Sequence, residues 1–135
     1  MSLLCKGVYN TMKNIKYRTW SKVAQQMVGW EELKPKFVKL LDNPEYPYMQ
    51  FTGLLDKSGK EIYEGDIVVF VEQNCIDSRD CGKRLIVWYE AGFEWVDLKT
   101  RTTMSGWLIC QSTASAYAIV IGNIYENPEL LKEGE

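Results

Sequence analysis

Histidine is absent from the 135-residue chain. Its absence removes the commonest general base and the commonest zinc ligand. A Ser-His-Asp or Cys-His catalytic site cannot form within one chain. Cysteine is sparse: Cys5, Cys75, Cys81 and Cys110 are too few for a disulfide scaffold at this length. The Cys75-x5-Cys81 spacing is wider than the about two to four intervening residues of structural zinc sites. A zinc site would need Cys110 and Cys5 as further ligands, and unrelated thiols, some buried as small hydrophobes, are the simpler reading. No metal and no cofactor are therefore expected. No run of about 18 apolar residues occurs, so no membrane-spanning helix is expected. The start lacks a continuous apolar segment and a cleavage site, which points to a reducing cytoplasm. Gly53 and Gly59 have the wrong spacing for a phosphate loop, and no Lys-Ser/Thr pair follows them.

What the chain does contain is aromatic residues: five Trp, eight Tyr and four Phe. They fit a β-rich core or an interface, where large rigid side chains contribute most. The length fits one domain able to bury a core without a staple. Charge is uneven along the chain. Residues 1–50 carry eight Lys/Arg and four Asp/Glu, whereas residues 51–135 carry eight and fourteen. Lys6, Lys13, Lys16, Arg18 and Lys22 fall in a stretch with no acid. The plain reading is a solvated strand face. The sharper ones are a head-to-tail contact between subunits or a nucleic-acid footprint.

Short β-type runs punctuated by turn residues dominate the pattern. Ile15, Tyr17 and Thr19 alternate with Lys16 and Arg18 over Asn14 to Trp20, the period of a half-buried strand, which is expected at a sheet edge. Val23 to Trp30 is ambiguous. Glu31 to Leu41 reads as a short helix or a strand broken by Pro35, and Asp42 to Pro47 as a turn. Tyr48 to Phe51, Glu61 to Tyr63 and Ile67 to Glu72 read as strands separated by turns at Asp56 to Gly59 and Glu64 to Asp66. Gln73 to Gly82 reads as a loop. Arg84 to Glu90 and Phe93 to Leu98 form a hairpin across Ala91-Gly92. Lys99 to Gly106 reads as a loop, Trp107 to Cys110 as a short strand and Ala118 to Ile124 as the last one. Asn127-Pro128-Glu129 then predicts an N-cap and the start of a short C-terminal helix. The expected fold is mainly β, a small closed or bent β-barrel with a short C-terminal helix. Residues 1–12 read as an N-terminal extension, with Met12 an equally good start, and residues 13–135 as a single β domain.

Three segments resemble the YopX family of bacteriophage and prophage proteins. They are Tyr17-Arg18-Thr19-Trp20, the stretch from Gln50 to Val68, and Gly122 to Leu131. The residues that carry the resemblance are Arg18, Trp20, Gln50, Thr52, Gly53, Asp56, Gly59, Ile62, Tyr63, Glu64, Gly65, Asp66, Gly122, Asn123, Asn127 and Pro128. The resemblance spans roughly residues 13–131, with residues 69–121 matching only as a pattern of strands. It implies a mainly β fold with a closed barrel and self-association, and it implies no catalytic residues. Physical chemistry offers a structural role for most of these positions. Gly53, Gly59 and Gly65 permit turns, Asp56 and Asp66 can hold them, and Ile62, Tyr63 and Ile67 supply packing.

Glu61, Glu64 and Asp66 are near enough in sequence to converge as paired carboxylates for glycosidic or metal-assisted chemistry. No second, distant acidic motif supports that, and an enzyme is not expected. Trp20, Trp30, Trp88, Trp95 and Trp107 are expected in the core or at a subunit interface, although exposed aromatics on a small barrel can also stack bases. The expected function is a non-enzymatic phage or prophage accessory protein, a homo-oligomeric β-barrel binding module in the bacterial cytoplasm. The alternative is a nucleic-acid-binding protein using the basic N-terminal strand and exposed aromatics.

Overall fold

The structure, a computed structural model, describes residues 14–71, 82–90, 92–108 and 111–132. Two antiparallel sheets carry the fold. The smaller has the order β2-β1-β3-β4, from β1 (Tyr17–Ser21), β2 (Gln26–Val28), β3 (Tyr48–Leu55) and β4 (Glu61–Tyr63). The larger has the order β8-β7-β6-β5-β9, from β5 (Asp66–Phe70), β6 (Lys83–Tyr89), β7 (Gly92–Asp97), β8 (Thr102–Leu108) and β9 (Ala118–Asn123). One of the sheets curls into a half-barrel. Strand makes up 45% and helix 20%, so the protein is mainly β.

Alternation along each strand sorts side chains to two faces. In the larger sheet Val68, Phe70, Ile86 and Trp95 bury one face, and Ile62 of β4 joins them from the smaller sheet. Phe70 and Trp95 meet edge to face with ring centres 4.9 Å apart. The helix α3 (Gln111–Tyr117) lays Ala114 on this core, and Ala118 follows at the start of β9, both fully buried. Burying each large apolar side chain here contributes about 1.5–3 kcal/mol before entropy is counted.

A helical segment packs on Tyr17 of the smaller sheet through Trp30 and Phe37: α1 (Trp30–Leu33), a 3-10 turn (Lys34–Lys36) and α2 (Phe37–Leu40). Leu33 is the anchor of this segment, 1% exposed. Pro35 lies within the 3-10 turn, where it shortens the helices on either side without ending the segment.

Four sequence expectations are corrected here. β1 is not an edge strand: Thr19 pairs with Val28 of β2 on one side and with Tyr48 of β3 on the other. The stretch from Lys99 to Gly106 is not all loop. Asp97 Oδ1 accepts the amides of Lys99 and Thr100 and turns the chain, and β8 begins at Thr102. Helix α3 was not expected, because Gln111-Ser112-Thr113-Ala114-Ser115-Ala116-Tyr117 has no apolar period; Ala114 is small enough to let it approach the core. The short C-terminal helix does start at Pro128, as a 3-10 helix over Pro128–Leu131, but Asn127 makes no side-chain cap to it. The hairpin of β6 and β7 forms as expected, with Trp88 opposite Phe93. The expected loop at Gln73 to Gly82 lies outside the described residues except for Gly82.

Candidate functional site

Arg18, Tyr63 and Asp66 meet where the two sheets join. Arg18 and Tyr63 belong to the smaller sheet, Asp66 to the first position of β5 in the larger one. Arg18 Nη2 donates to Asp66 Oδ1 at 2.6 Å. The Tyr63 amide donates to Asp66 Oδ2 at 2.8 Å, and the Arg18 guanidinium lies 4.5 Å from the centre of the Tyr63 ring. Asp66 is 1% exposed. Burial pushes its carboxyl above the ordinary carboxylate value, against the opposing pull of Arg18 and the Tyr63 amide. Burial and then the charge of Glu61 push the Tyr63 hydroxyl up to about 12.

The chain can turn from β4 into β5 because Gly65 takes φ +86°, a conformation that side chains disfavour. Its amide donates to the Ile86 carbonyl at 2.8 Å, and its carbonyl accepts from the Ile124 amide at 3.0 Å. A Cβ at this position would stand 3.3 Å from the Met49 sulfur. Gly53, also at φ +86°, sits where the register of β3 against β4 shifts. Thr52 spans that irregularity, its hydroxyl donating to the Ile62 carbonyl and accepting from the Leu54 amide.

Asp56 organises the second joint. Its Oδ1 accepts from the Ser58 amide, the Ser58 hydroxyl and the Lys60 amide at 2.8–2.9 Å, fixing the turn that Gly59 completes. Its Oδ2 accepts from the Val120 amide at 2.9 Å, while the Lys57 amide donates to the Ala118 carbonyl at 2.8 Å. Those two β9 groups face away from β5, so the turn occupies the outer edge of β9 and blocks further pairing there. Burial raises the Asp56 carboxyl, but the Val120, Lys60 and Ser58 donors outweigh it and hold the group below its ordinary value.

The C-terminal motif closes a third set of contacts. Asn123 Oδ1 accepts from the amides of Tyr125 and Glu126, and Asn127 Oδ1 accepts from the Asn123 amide at 3.2 Å. A Cβ at Gly122 would stand 2.9 Å from Leu130 Cδ1 and closer still to Asn127 Oδ1, so those side chains would have to shift to admit one. Tyr125 stacks on Trp20 of β1, ring centres 6.0 Å apart and planes at 14°. The motif thus returns to the smaller sheet, and Pro128 opens the final 3-10 turn behind it.

The structure does not bring Glu61, Glu64 and Asp66 together as a working carboxylate set. Glu61 pairs with Lys16, Glu64 Oε1 accepts from the Gln50 amide at 3.4 Å, and Asp66 is sealed against Arg18. Lys16 and Arg18 are consequently committed to internal acids. Among the described residues no group of three or more Cys, Asp or Glu side chains could hold a metal. Cys5, Cys75, Cys81 and Cys110 lie outside the described residues. Among those residues no helix is long and apolar enough to cross a membrane.

Sequence reasoning missed an aromatic surface cluster on the helical side of the smaller sheet. Tyr17, Trp30, Phe37 and Tyr48 have ring centres 4.7–6.0 Å from their neighbours, and none is buried. The seven-residue spacing of Trp30 and Phe37 was the available signal, two turns apart on one helical face. Beside the cluster a shallow depression of about 310 Å³ is lined by Leu41, Asp42, Pro44, Tyr46, Pro47 and Tyr48.

The fold has solved counterparts. Protein EF1440 from Enterococcus faecalis is similar over 90% of this chain and 100% of its own, with TM-score 0.61 and 24% identity. Protein yopX from Bacillus subtilis is similar over 92% of this chain and 100% of its own, with TM-score 0.52 and 18% identity. No curated protein matches the chain. The family model described as YopX protein matches residues 37–132, a stretch that holds the Asp56 turn, the Gly65 turn and the Asn123–Asn127 motif, and the chain belongs to the YopX family.

Proposed function

We propose that this protein is a non-enzymatic binding module, acting as a homo-oligomer in an accessory role of phage or prophage origin in the bacterial cytoplasm. The observation that carries the reading is the use made of the signature. Its carboxylates and amides are spent on internal contacts: Asp56 accepts four hydrogen bonds, and Asp66 is closed between Arg18 and Tyr63. A buried, fully paired carboxylate has no open side for a substrate, whereas a general acid or base needs one. What the described surface offers is contact area. Trp88 and Tyr89 at the end of β6 are 51% and 50% exposed, and Trp88 stands edge to face with Phe93 across the hairpin. Exposed aromatic residues of this size suit protein contacts.

Light scattering over micromolar concentrations tests the reading. An oligomer is expected, and Trp88→Ser with Tyr89→Ser should shift it toward monomer. A monomer at every concentration would contradict self-association.

A further inference from the structure

We infer that the face formed by Tyr17, Trp30, Phe37 and Tyr48, with Lys34, Lys36 and Lys39, binds single-stranded nucleic acid. The inference rests on the binding-module reading and not on assembly. Two observations meet at this face. The first is the ring cluster. Tyr17 stacks on Phe37 at 4.7 Å with planes 23° apart, and Tyr48 and Trp30 stand edge-on to Phe37 at 5.8 and 5.7 Å. A core would bury such a cluster, yet Tyr48 is 47% exposed and the other three are only half-buried. Pre-arranged, partly open rings give bases a stacking surface whatever their sequence.

The second observation is charge. Lys34, Lys36 and Lys39 surround Phe37 in the chain, with no acid between Leu33 and Leu41. All three are exposed, and among the described residues none is ion-paired. This contrasts with Lys16 and Arg18, which face Glu61 and Asp66. Glu31, Glu32, Asp42 and Glu45 flank the segment on both sides and confine the positive strip to the helical turn itself. The footprint is therefore short, a few phosphates alongside stacked bases. Duplex DNA keeps its base faces stacked inside and could use only the cations, so the rings select a single strand. The depression beside Tyr48 continues the aromatic surface past Pro47 and Leu41.

Fluorescence polarisation with labelled oligo-dT tests this. With three phosphate contacts the affinity should fall about 20-fold between about 50 and about 200 mM salt, a logarithmic slope of about −2. Lys36→Gln with Lys39→Gln should reduce that slope by about 1.4. Tyr48→Ala should weaken binding at least about 5-fold, the lower bound for one lost stacking partner. Val71→Ala, exposed just past β5 of the other sheet, should leave affinity unchanged. Circular dichroism confirms that each variant is folded; should Tyr48→Ala unfold, Tyr48→Ser or the lysine pair carries the test. No oligo-dT binding by micromolar protein at low salt would overturn the inference, as would binding indifferent to Tyr48 and the lysines. Absence of binding with the assembly intact would leave the binding-module reading standing.

Discussion

Arg18 and Asp66 lie 48 residues apart in the chain and 2.6 Å apart in space, joining β1 of the smaller sheet to β5 of the larger one. Each is placed by its neighbour in sequence. Alternation along β1 sets Arg18 on the face opposite Tyr17, and the Gly65 turn brings Asp66 under the Tyr63 amide. The guanidinium also covers the Tyr63 ring, so one side chain satisfies a charge and an aromatic face together.

Asp56→Asn should destabilise the protein. An amide nitrogen replacing one of the carboxylate oxygens would face a donor, either at Val120 or at the Ser58–Lys60 turn. An unmade buried bond of this kind costs about 1–3 kcal/mol. Urea denaturation measures it, and a change smaller than about 0.5 kcal/mol, typical of an uninvolved surface site, would show that Asp56 does not hold the turn to β9.

The same carboxylate gives a pH signature. Its native value is below that of the unfolded chain, so the unfolded state takes up the proton first as pH falls. The stabilisation from Asp56 is complete above an unfolded value of about 4 and is lost as pH drops through the lower native value. Asp66 has the opposite sign, since its native value is raised. The stability gap between wild type and Asp56→Asn should therefore narrow below about pH 4. A gap constant from neutral to acid pH would contradict the assignment.

Gly122→Ala should cost more than an ordinary surface substitution, because the new methyl meets the Asn127 side chain that holds the Asn123 amide. Gly65→Ala should do the same through its positive φ and the nearby Met49 sulfur. Losses of about 1–3 kcal/mol are expected for each, measured by thermal denaturation. Gly29→Ala, where nothing lies within 4 Å of the new methyl, serves as the tolerant control.

Local chemistry made much of the fold legible. Turn residues at Asp56 to Gly59 and Glu64 to Asp66, the β6–β7 hairpin and the β-branched run at Ile67 to Phe70 each announce themselves within a few residues. Partnerships across long separations did not. Nothing near Arg18 says that its acid is Asp66, and nothing near Asp56 says that its fourth donor is Val120. Helix α3 was hidden because small polar residues carry no period, and its place depends on a core supplied by other strands. Asn127 was read as a cap, yet its oxygen turns back to Asn123, an arrangement that the Gly122 gap accommodates. The aromatic face was missed because its four members come from a strand, a helical segment and a second strand.

The central claim is that the polar signature holds the two sheets together, and a double-mutant cycle on Arg18 and Asp66 tests it most directly. Arg18→Met and Asp66→Asn should each lose about 3–5 kcal/mol, since each strands a buried partner. The double variant should lose much less than their sum, giving a coupling of about 2 kcal/mol or more in urea denaturation. Additive losses, with a coupling below about 0.5 kcal/mol, would contradict the account.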